Sequence, residues 1–259
     1  MWEKELEAAI EIGLIAREKI LDFYHHKLDV EIKEDNSPVT IADKTADKMI
    51  KEFLSKKFPT HAFLTEESED NLARLENDYV WIVDPVDGTK DFIAHDDEFT
   101  TNIALCYKHE IVVGVVIIPA KDELYFASKG NGAFYQKIGE NPCKIHVNDK
   151  INDLTCLISV FHLTKEEEDL IAKHSDRIKH VEKHGSSIKA CLIAHGQAEI
   201  HYRHSAGTKE WDTAAIQAIV SEAGGIFLDL NLNEITYNRK DVYNRNGYII
   251  VNRKENILL

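Results

Sequence analysis

The chain has 259 residues, of which 44% are hydrophobic, and 31 Lys and Arg stand against 45 Asp and Glu, giving a formal net charge of −14. A chain of this length and apolar content can bury a large core, either as one large domain or as two closely packed ones. The negative charge argues against general binding to nucleic acid polymers or to anionic membranes, so an anionic ligand would need local cations.

The cysteines and the N-terminus favour an intracellular protein. The four cysteines are far apart and contain no C-x-x-C pair, so neither a disulfide framework nor a thiolate zinc site is indicated. The first residues lack the basic and apolar blocks of a signal peptide, and the longest apolar run, residues 111 to 120, is too short to span a bilayer. We therefore expect a cytoplasmic protein with no membrane segment.

The first half of the chain contains two predicted helices followed by strands. In residues 3 to 27 apolar side chains recur at spacings of three and four, which is typical of an amphipathic helix. Residues 33 to 40 break this pattern, because Asn-Ser-Pro favours an extended loop, and a second helix is predicted from 42 to 58. We then expect an antiparallel meander of strands at 61–68, 79–83, 100–107, 110–119 and 123–128.

From about residue 150 the pattern changes to alternating strands and helices. Strands are predicted at 155–160 and 198–203, and helical segments at 165–175, 186–196 and 212–225. No linker separates the two halves. We therefore expect an N-terminal α+β domain, residues 1–148, packed against a C-terminal α/β domain, residues 149–259.

An apolar strand leads into an acidic turn in the sequence WIVDPVDGTKDF, residues 81 to 92. Pro85 favours a turn that brings the carboxylates of Asp84 and Asp87 to one side. Gly88 permits the close approach of a ligand, and Thr89 is predicted to begin a helix whose free N–H groups would receive an anion such as phosphate. The simpler alternative is an acidic turn whose carboxylates contact only water.

Further carboxylates stand at comparable places in the sequence. Glu66 and Glu67 follow a predicted strand, and Asp43 and Asp212 each stand at the start of a predicted helix. Taken singly, Asp43 and Asp212 are typical of N-caps, and one of the two glutamates is expected to be solvated. Taken together, converging carboxylates would raise one another's pKa and cost stability unless cations are bound. All-oxygen ligands favour magnesium or manganese over zinc or copper.

Four segments in order resemble a known family: PVTIAD, TEES, WIVDPVDGTKDF and EWDTAAIQAIVSEAGG. They are similar to the signatures of the lithium-sensitive, magnesium-dependent phosphatases of the inositol monophosphatase family, and the resemblance runs from about Lys33 to Asp229. The segments DNSPVTIAD, DGTKDF and GSSIKACLIAHGQAEIHYR are more similar to its CysQ-like 3'(2'),5'-bisphosphate nucleotidase branch.

The resemblance implies a fold and a set of site residues. The expected fold is a five-layer αβαβα sandwich of two packed sub-domains, with two or three Mg²⁺ ions between them and Mn²⁺ as a substitute. The implied metal ligands are Glu66, Asp84, the Val86 carbonyl, Asp87 and Asp212. The implied catalytic residues are Asp43, Thr89 and Glu66, with Asp43 and Thr89 activating the attacking water. The amides of Gly88 and Thr89 would hold phosphate, and Ser186, Lys189 and Arg203 would contact a nucleotide.

The implied reaction is the hydrolysis of a small phosphorylated substrate, 3'-phosphoadenosine 5'-phosphate, to AMP and phosphate. The first alternative is an inositol-1-phosphate or sugar monophosphatase, which is disfavoured because Ser205 stands where inositol-specific enzymes have a glutamate. The second alternative is a non-catalytic metal or nucleotide binding protein, but such a protein has no need of the pair Asp43 and Thr89. The resemblance also implies a homodimer, and it leaves the role of Lys209 open.

Overall fold

The N-terminal part of the chain forms two helices and a pair of short antiparallel strands. The computed structural model describes residues 1–26, 30–32 and 38–259. The elements here are α1 (Glu3–Tyr24), β1 (Val30–Ile32), β2 (Pro38–Thr40) and α2 (Ile41–Lys57). Both helices occur where the apolar spacing predicts them, although α1 ends at Tyr24 and not at residue 27. Of the extended loop predicted at 33 to 40, residues 33 to 37 lie outside the described residues.

The first large sheet has seven strands in chain order. They are β3 (Ala62–Thr65), β4 (Tyr79–Asp87), β5 (Thr100–Tyr107), β6 (Glu110–Ile118), β7 (Glu123–Ser128), β8 (Gly132–Lys137) and β9 (Cys143–Ile145), with α3 (Thr89–Ala94) between β4 and β5. From β4 to β9 the neighbours are antiparallel, as predicted for β4 to β7, whereas β8 and β9 were not predicted. β3 is parallel to β4, so the prediction of an antiparallel meander is wrong for this pair. Residues 66 to 78 form a connection long enough for the crossover that parallel strands need.

The second sheet has five strands in the order β11-β10-β12-β14-β13. They are β10 (Leu154–Ser159), β11 (Ile178–His184), β12 (Ile200–Arg203), β13 (Ile226–Leu228) and β14 (Tyr248–Val251), and the helices of this half are α4 (Lys165–Lys173), α5 (Ile188–Ala194) and α6 (Glu210–Glu222). β10 is parallel to β11 and β12, whereas β14 is antiparallel to β12 and β13. The alternation of strands and helices agrees with the prediction, although β11, β13 and β14 were not predicted.

The helices and sheets stack in five layers, which confirms the predicted αβαβα sandwich. α1 and α2 pack on one face of the first sheet, and α6 packs on the other face. α5 lies beside α6 and contacts β12 and β14 of the second sheet. Leu170 and Ile171 of α4 pack against the opposite, outer face of that sheet. The two sheets therefore enclose a central helical layer.

The central layer lies very close to the first sheet. A methyl group in place of the Gly114 hydrogen would stand 2.3 Å from the Ala215 carbonyl oxygen, so only glycine allows α6 to approach β6 this closely. The first sheet uses residues between 62 and 145 and the second uses residues between 154 and 251. The domain boundary between residues 148 and 149 stays a prediction. None of the described helices has both the length and the apolar character needed to cross a membrane.

Candidate active site

A bulge in β4 brings the two aspartates of the acidic segment together. In a regular strand, residues three positions apart point to opposite faces. Here Asp84 pairs with Asn102 and Asp87 pairs with Thr100, so three steps along β4 match two steps along β5. The extra residue puts both carboxylates on one side. The predicted convergence is present, but the prediction of a turn at Pro85 is wrong, because Pro85 lies within β4.

A third carboxylate reaches the same place from the start of α6. One oxygen each from Asp84, Asp87 and Asp212 lies within 4.8 Å of the other two. Asp212 is the third residue of α6, and its Oδ2 accepts a 2.6 Å hydrogen bond from the Lys209 backbone N–H. The alternative of an N-cap at Asp212 is therefore wrong, because the N-cap position belongs to Lys209. We call Asp84, Asp87 and Asp212 the acidic cluster.

The electrostatics of the acidic cluster favour a bound cation. Burial, followed by the charges of Glu66, Asp87 and Asp212, raises the pKa of Asp84 well above its usual range. Burial, followed by the charges of Asp87 and Glu66, raises the pKa of Asp212 to about 8. Burial also raises the pKa of Asp87. A positive charge beside these carboxyls would therefore favour their ionised forms. Their oxygen donors fit a hard divalent cation such as Mg²⁺.

The remaining predicted metal ligands lie beside the acidic cluster. Glu66 lines the same cavity as Asp87 and Asp212, and its charge acts on Asp84. Its backbone N–H donates to the Val83 carbonyl at 3.2 Å, which holds the end of β3 next to β4. The Val86 carbonyl oxygen accepts a 3.3 Å hydrogen bond from the Thr89 hydroxyl. That Glu66 and Val86 are metal ligands stays a prediction.

Asp43 and Thr89 form a hydrogen-bonded pair at the edge of the cluster. The Thr89 hydroxyl lies 3.2 Å from Asp43 Oδ1, and it has a single proton to donate either there or to Val86. Asp43 Oδ2 accepts hydrogen bonds from the Thr40 backbone N–H at 2.9 Å and from the Thr40 hydroxyl at 2.6 Å. Burial is the main cause that raises the pKa of Asp43. Thr40 is the N-cap of α2 and Asp43 is its third residue, so the alternative of an N-cap at Asp43 is also wrong.

The geometry of this pair separates the roles of its two members. Thr89 lines the cavity, whereas Asp43 is 1% exposed and lies behind it. Asp43 can therefore act on a ligand only through Thr89, by accepting the hydroxyl proton. Gly88, which precedes Thr89, has φ of 88°, a conformation that residues with a side chain rarely adopt. This turn presents the start of α3 to the cavity.

A cavity of about 490 Å³ connects the acidic cluster with basic side chains. Lys189 donates from Nζ to the His184 carbonyl at 3.0 Å and to the Ser186 carbonyl at 2.8 Å. Burial lowers the pKa of Lys189 to about 8. Arg203 Nη1 donates to the His162 carbonyl at 2.9 Å, and the Ser186 hydroxyl donates to the Glu98 carbonyl at 2.9 Å. The Ser186 hydroxyl can therefore only accept from a ligand. The structure brings all three predicted substrate residues to the cavity that contains Asp87 and Asp212.

Several residues of the site were not predicted from the sequence. Asp87 Oδ2 accepts hydrogen bonds from the Ser187 hydroxyl at 2.9 Å, Asn102 Nδ2 at 3.2 Å and the Thr100 hydroxyl at 3.3 Å. Ser187 lies in the segment GSSIK, whose similarity to the nucleotidase branch could have pointed to it. Asn102 and Thr100 reach Asp87 only because β5 pairs with β4, which no local pattern indicates. The cavity is also lined by Lys90, Val160, Phe161, His162 and Tyr243.

Ser205 and Lys209, whose roles the sequence leaves open, both line the cavity. The Lys209 ammonium lies 5.2 Å from the ring centre of Trp211 and 5.5 Å from that of Tyr243, within the range of cation–π attraction. The aromatic rings therefore fix a positive charge close to Asp212.

Comparisons with known proteins agree with this geometry. The profile described as "Inositol monophosphatase family" matches residues 1–257. The 3'(2'),5'-bisphosphate nucleotidase CysQ of Buchnera aphidicola is 36% identical over 87% of this chain and 84% of that protein. Inositol monophosphatase 1 of Rattus norvegicus is 30% identical over 88% of this chain and 84% of that protein. The crystal structure of CysQ from Bacteroides thetaiotaomicron, at 37% identity, has a TM-score of 0.86 and covers 98% of this chain and 99% of that chain.

The chain therefore belongs to the inositol monophosphatase family. Members of this family are metal-dependent phosphatases, and the acidic cluster is consistent with that chemistry. The resemblance found in the sequence is confirmed, and so is its closer similarity to the CysQ proteins.

Proposed function

We propose that this protein is a magnesium-dependent 3'(2'),5'-bisphosphate nucleotidase that hydrolyses 3'-phosphoadenosine 5'-phosphate to AMP and phosphate. One observation carries the proposal. A single cavity is lined both by carboxylates of the acidic cluster and by two cations, Lys189 and Arg203, that lie apart from the carboxylates in sequence. A substrate with two phosphate groups needs both kinds of environment.

Asp43 and Thr89 would activate the attacking water. A water that donates to the Thr89 hydroxyl oxygen can transfer its proton there, while the hydroxyl proton moves toward Asp43 Oδ1, 3.2 Å away. The two hydrogen bonds from Thr40 fix the other carboxylate oxygen, so Asp43 holds one orientation. No histidine base or covalent nucleophile is required.

Glu66, Asp84, the Val86 carbonyl, Asp87 and Asp212 would hold the cations. Mg²⁺ bound there would neutralise the carboxylates, lower the pKa of the attacking water and stabilise the leaving oxygen. Two or three ions, with Mn²⁺ as a substitute, stay a prediction. The Ser187, Asn102 and Thr100 donors on Asp87 Oδ2 would orient that carboxylate toward the ions. The amides of Gly88 and Thr89 would bind the phosphate to be removed.

The second phosphate would bind Lys189 and Arg203. Lys189 is 6% exposed and Arg203 is 9% exposed, so both positive charges are largely shielded from water. A phosphate there would form charge-assisted hydrogen bonds, which are stronger than those between neutral groups. Val160, Phe161 and Tyr243 add apolar surface to the same cavity, which suits a nucleoside better than a polyol.

Phosphate release from 3'-phosphoadenosine 5'-phosphate and from inositol 1-phosphate, measured side by side, tests the proposal. We expect strong preference for the nucleotide, loss of turnover with chelator, and inhibition by lithium. Absence of nucleotide turnover in Mg²⁺ would refute the proposal. A clear preference for inositol 1-phosphate would establish the alternative, which Ser205 disfavours.

A variant tests the second phosphate site directly. Arg203→Gln should raise KM for 3'-phosphoadenosine 5'-phosphate and leave KM for adenosine 3'-phosphate nearly unchanged, because the second substrate lacks the 5'-phosphate. Arg177→Gln is the matched control, since the Arg177 guanidinium binds the Ile151 and Glu255 carbonyls away from the cavity. Equal effects of Arg203→Gln on both substrates would contradict the assignment. A cytoplasmic location and a homodimer stay predictions.

A further inference from the structure

A network of polar side chains contacts the start of α6, next to Asp212, and does not line the catalytic cavity. Its members are Arg74, Glu210, Asn238, Arg239 and Asn244. Glu210 is 0% exposed and Arg74 is 2% exposed, so both charges are buried inside the protein. Buried charges persist only where hydrogen bonds satisfy them. We call these five residues the buried network.

Glu210 fixes the first turn of α6. Its Oε2 accepts from the Asn238 backbone N–H at 2.7 Å, and its Oε1 accepts from the Arg239 backbone N–H at 2.8 Å and from Arg239 Nε at 3.2 Å. The Glu210 backbone N–H in turn donates to the Val242 carbonyl at 2.9 Å. Hydrogen bonds therefore hold both the backbone and the side chain of Glu210, which lies two residues before Asp212.

The segment that binds Glu210 also binds Lys209. Asn244 Nδ2 donates to the Lys209 carbonyl at 3.0 Å, and the Asn244 backbone N–H donates to the Thr208 carbonyl at 2.8 Å. Arg239 Nη2 donates to Asn244 Oδ1 at 2.8 Å, which ties the two ends of residues 239 to 244 to each other. This segment surrounds the start of the helix that carries Asp212.

Arg74 extends the network to the connection that carries Glu66. Its Nη1 donates to Asn238 Oδ1 at 2.8 Å, and its Nη2 donates to the Arg239 carbonyl at 2.9 Å and to Asp70 Oδ2 at 2.8 Å. Arg74 and Asp70 belong to residues 66 to 78, which join β3 to β4 and begin with Glu66. A continuous path of hydrogen bonds therefore links the Glu66 connection in one half of the molecule to α6 in the other.

We infer that Glu210, through this network, is a positioning residue that sets the place of Asp212 relative to Glu66, an inference that rests on the proposed function. Asp84 and Asp87 are held by one strand, whereas Asp212 comes from a helix of the other half of the chain. The geometry of a cation site is sensitive to small displacements of a ligand, and the loss of a residue that orients a ligand typically costs metal affinity. The buried network joins the two contributing segments by hydrogen bonds.

The test uses Glu210→Gln and follows Mg²⁺ binding by thermal unfolding, independently of turnover. Each carboxylate oxygen of Glu210 accepts a hydrogen bond from a backbone N–H group. A glutamine side chain has only one such oxygen, so its N–H₂ group would face the other backbone N–H and repel it. We expect the Mg²⁺ concentration for half-maximal stabilisation to rise roughly 10-fold. The Mg²⁺ dependence of turnover should shift by a similar factor, with kcat recovered at saturating Mg²⁺.

Glu222→Gln is the matched control at the opposite end of α6. The Glu222 carboxylate also accepts two backbone N–H groups, from Gly130 at 2.8 Å and Gly132 at 2.7 Å. It should lower the unfolding temperature without changing the Mg²⁺ midpoint, whereas Glu210→Gln should change both. Should Glu210→Gln fail to fold, Arg239→Gln carries the same test, because it removes the Arg239 donors and leaves both backbone N–H donors in place.

The outcomes separate this inference from the proposed function. If the wild-type protein shows neither stabilisation by Mg²⁺ nor Mg²⁺-dependent turnover, the proposed function itself fails. If the wild type responds to Mg²⁺ and the Glu210 and Arg239 variants keep the same midpoint, the positioning role is refuted. The positioning role is also refuted if Glu222→Gln shifts the Mg²⁺ midpoint as much as Glu210→Gln does.

Discussion

Asp43 and Asp212 occupy the same local position in two different helices, yet their surroundings give them different roles. Each is the third residue of its helix, and each accepts a hydrogen bond from the backbone N–H of the N-cap residue. Both oxygens of Asp43 are used inside the protein, by Thr40 and Thr89. Asp212 lines the cavity and has an oxygen in the acidic cluster.

A third helix has the same arrangement, but its carboxylate does not belong to the acidic cluster. In α4 the N-cap is Thr164 and the third residue is Glu167, whose carboxylate accepts from the Thr164 N–H at 3.3 Å and the His204 N–H at 2.9 Å. Neither Thr164 nor Glu167 lines the catalytic cavity. The comparison indicates that the helix start fixes the position of a carboxylate, whereas the residues opposite it decide its chemistry.

The largest effect is expected for Asp43→Asn. The amide cannot accept the Thr89 proton if its N–H₂ group faces the hydroxyl, while its oxygen can still accept from Thr40. Turnover should fall about a thousandfold, the range expected for loss of a general base, with an unfolding temperature near that of the wild type. Steady-state kinetics and circular dichroism measure the two quantities, and full activity in this variant would refute the assigned base.

Asp212→Asn should instead affect the cation. This substitution removes one ionisable carboxyl group from the acidic cluster. We expect the Mg²⁺ concentration for half-maximal stabilisation to rise roughly 100-fold, because mutation of residues that only orient a metal ligand already costs up to about 100-fold in metal affinity. Asp43→Asn should keep the wild-type midpoint, because Asp43 lies outside the cluster. Thermal unfolding across a Mg²⁺ titration compares the two variants, and equal midpoints would contradict the division of roles.

The pH dependence of stability should also distinguish the cluster. The pKa of Asp212 is raised to about 8 by burial and by the charges of Asp87 and Glu66, and those of Asp84 and Asp87 are raised as well. Without Mg²⁺, the folded state therefore holds protons that the unfolded state has already lost above about pH 4. In chelator, the stability contributed by the cluster should therefore fall as the pH rises toward 8, whereas His162 and His201, whose pKa values burial lowers, act in the opposite direction below about pH 6.5.

Mg²⁺ should reverse this trend, because it stabilises the ionised carboxylates. Unfolding temperatures measured at pH 5.5 and 8, with chelator and with Mg²⁺, provide the comparison. The stabilisation by Mg²⁺ should be larger at pH 8, and Asp212→Asn should flatten the slope seen in chelator. A stabilisation that is independent of pH would show that the cluster does not bind the ion.

The strongly periodic elements of the fold could be predicted from the sequence. α1, α2 and the strands β4 to β7 have apolar patterns long enough to be recognised locally. β11 was missed because it is an edge strand whose residues 179 to 183 are exposed and mostly charged or polar, so it lacks an apolar pattern. The parallel pairing of β3 with β4 depends on the path of residues 66 to 78, which no local pattern encodes.

The site could be predicted in its residue types but not in its local geometry. Pro85 indicated a turn, yet the convergence of Asp84 and Asp87 results from a bulge that exists only because β5 pairs with β4 in a shifted register. The donors from Asn102 and Ser187 to Asp87 are likewise tertiary contacts between distant segments. The starts of α2 and α6 were recognised, but their N-caps are Thr40 and Lys209, three residues before Asp43 and Asp212.

The smallest effect is expected at the third helix start, with Thr164→Ala. The Thr164 hydroxyl accepts from the Glu167 N–H at 3.3 Å, and loss of a threonine cap costs about 1 kcal/mol of stability. Turnover and the Mg²⁺ midpoint should stay unchanged, because α4 packs on the outer face of the second sheet, away from the acidic cluster. Thr40→Ala is the informative counterpart, since it removes a comparable cap and also the 2.6 Å hydrogen bond to Asp43. If Thr40→Ala loses stability alone and keeps full kcat, the orientation of Asp43 does not depend on its helix start.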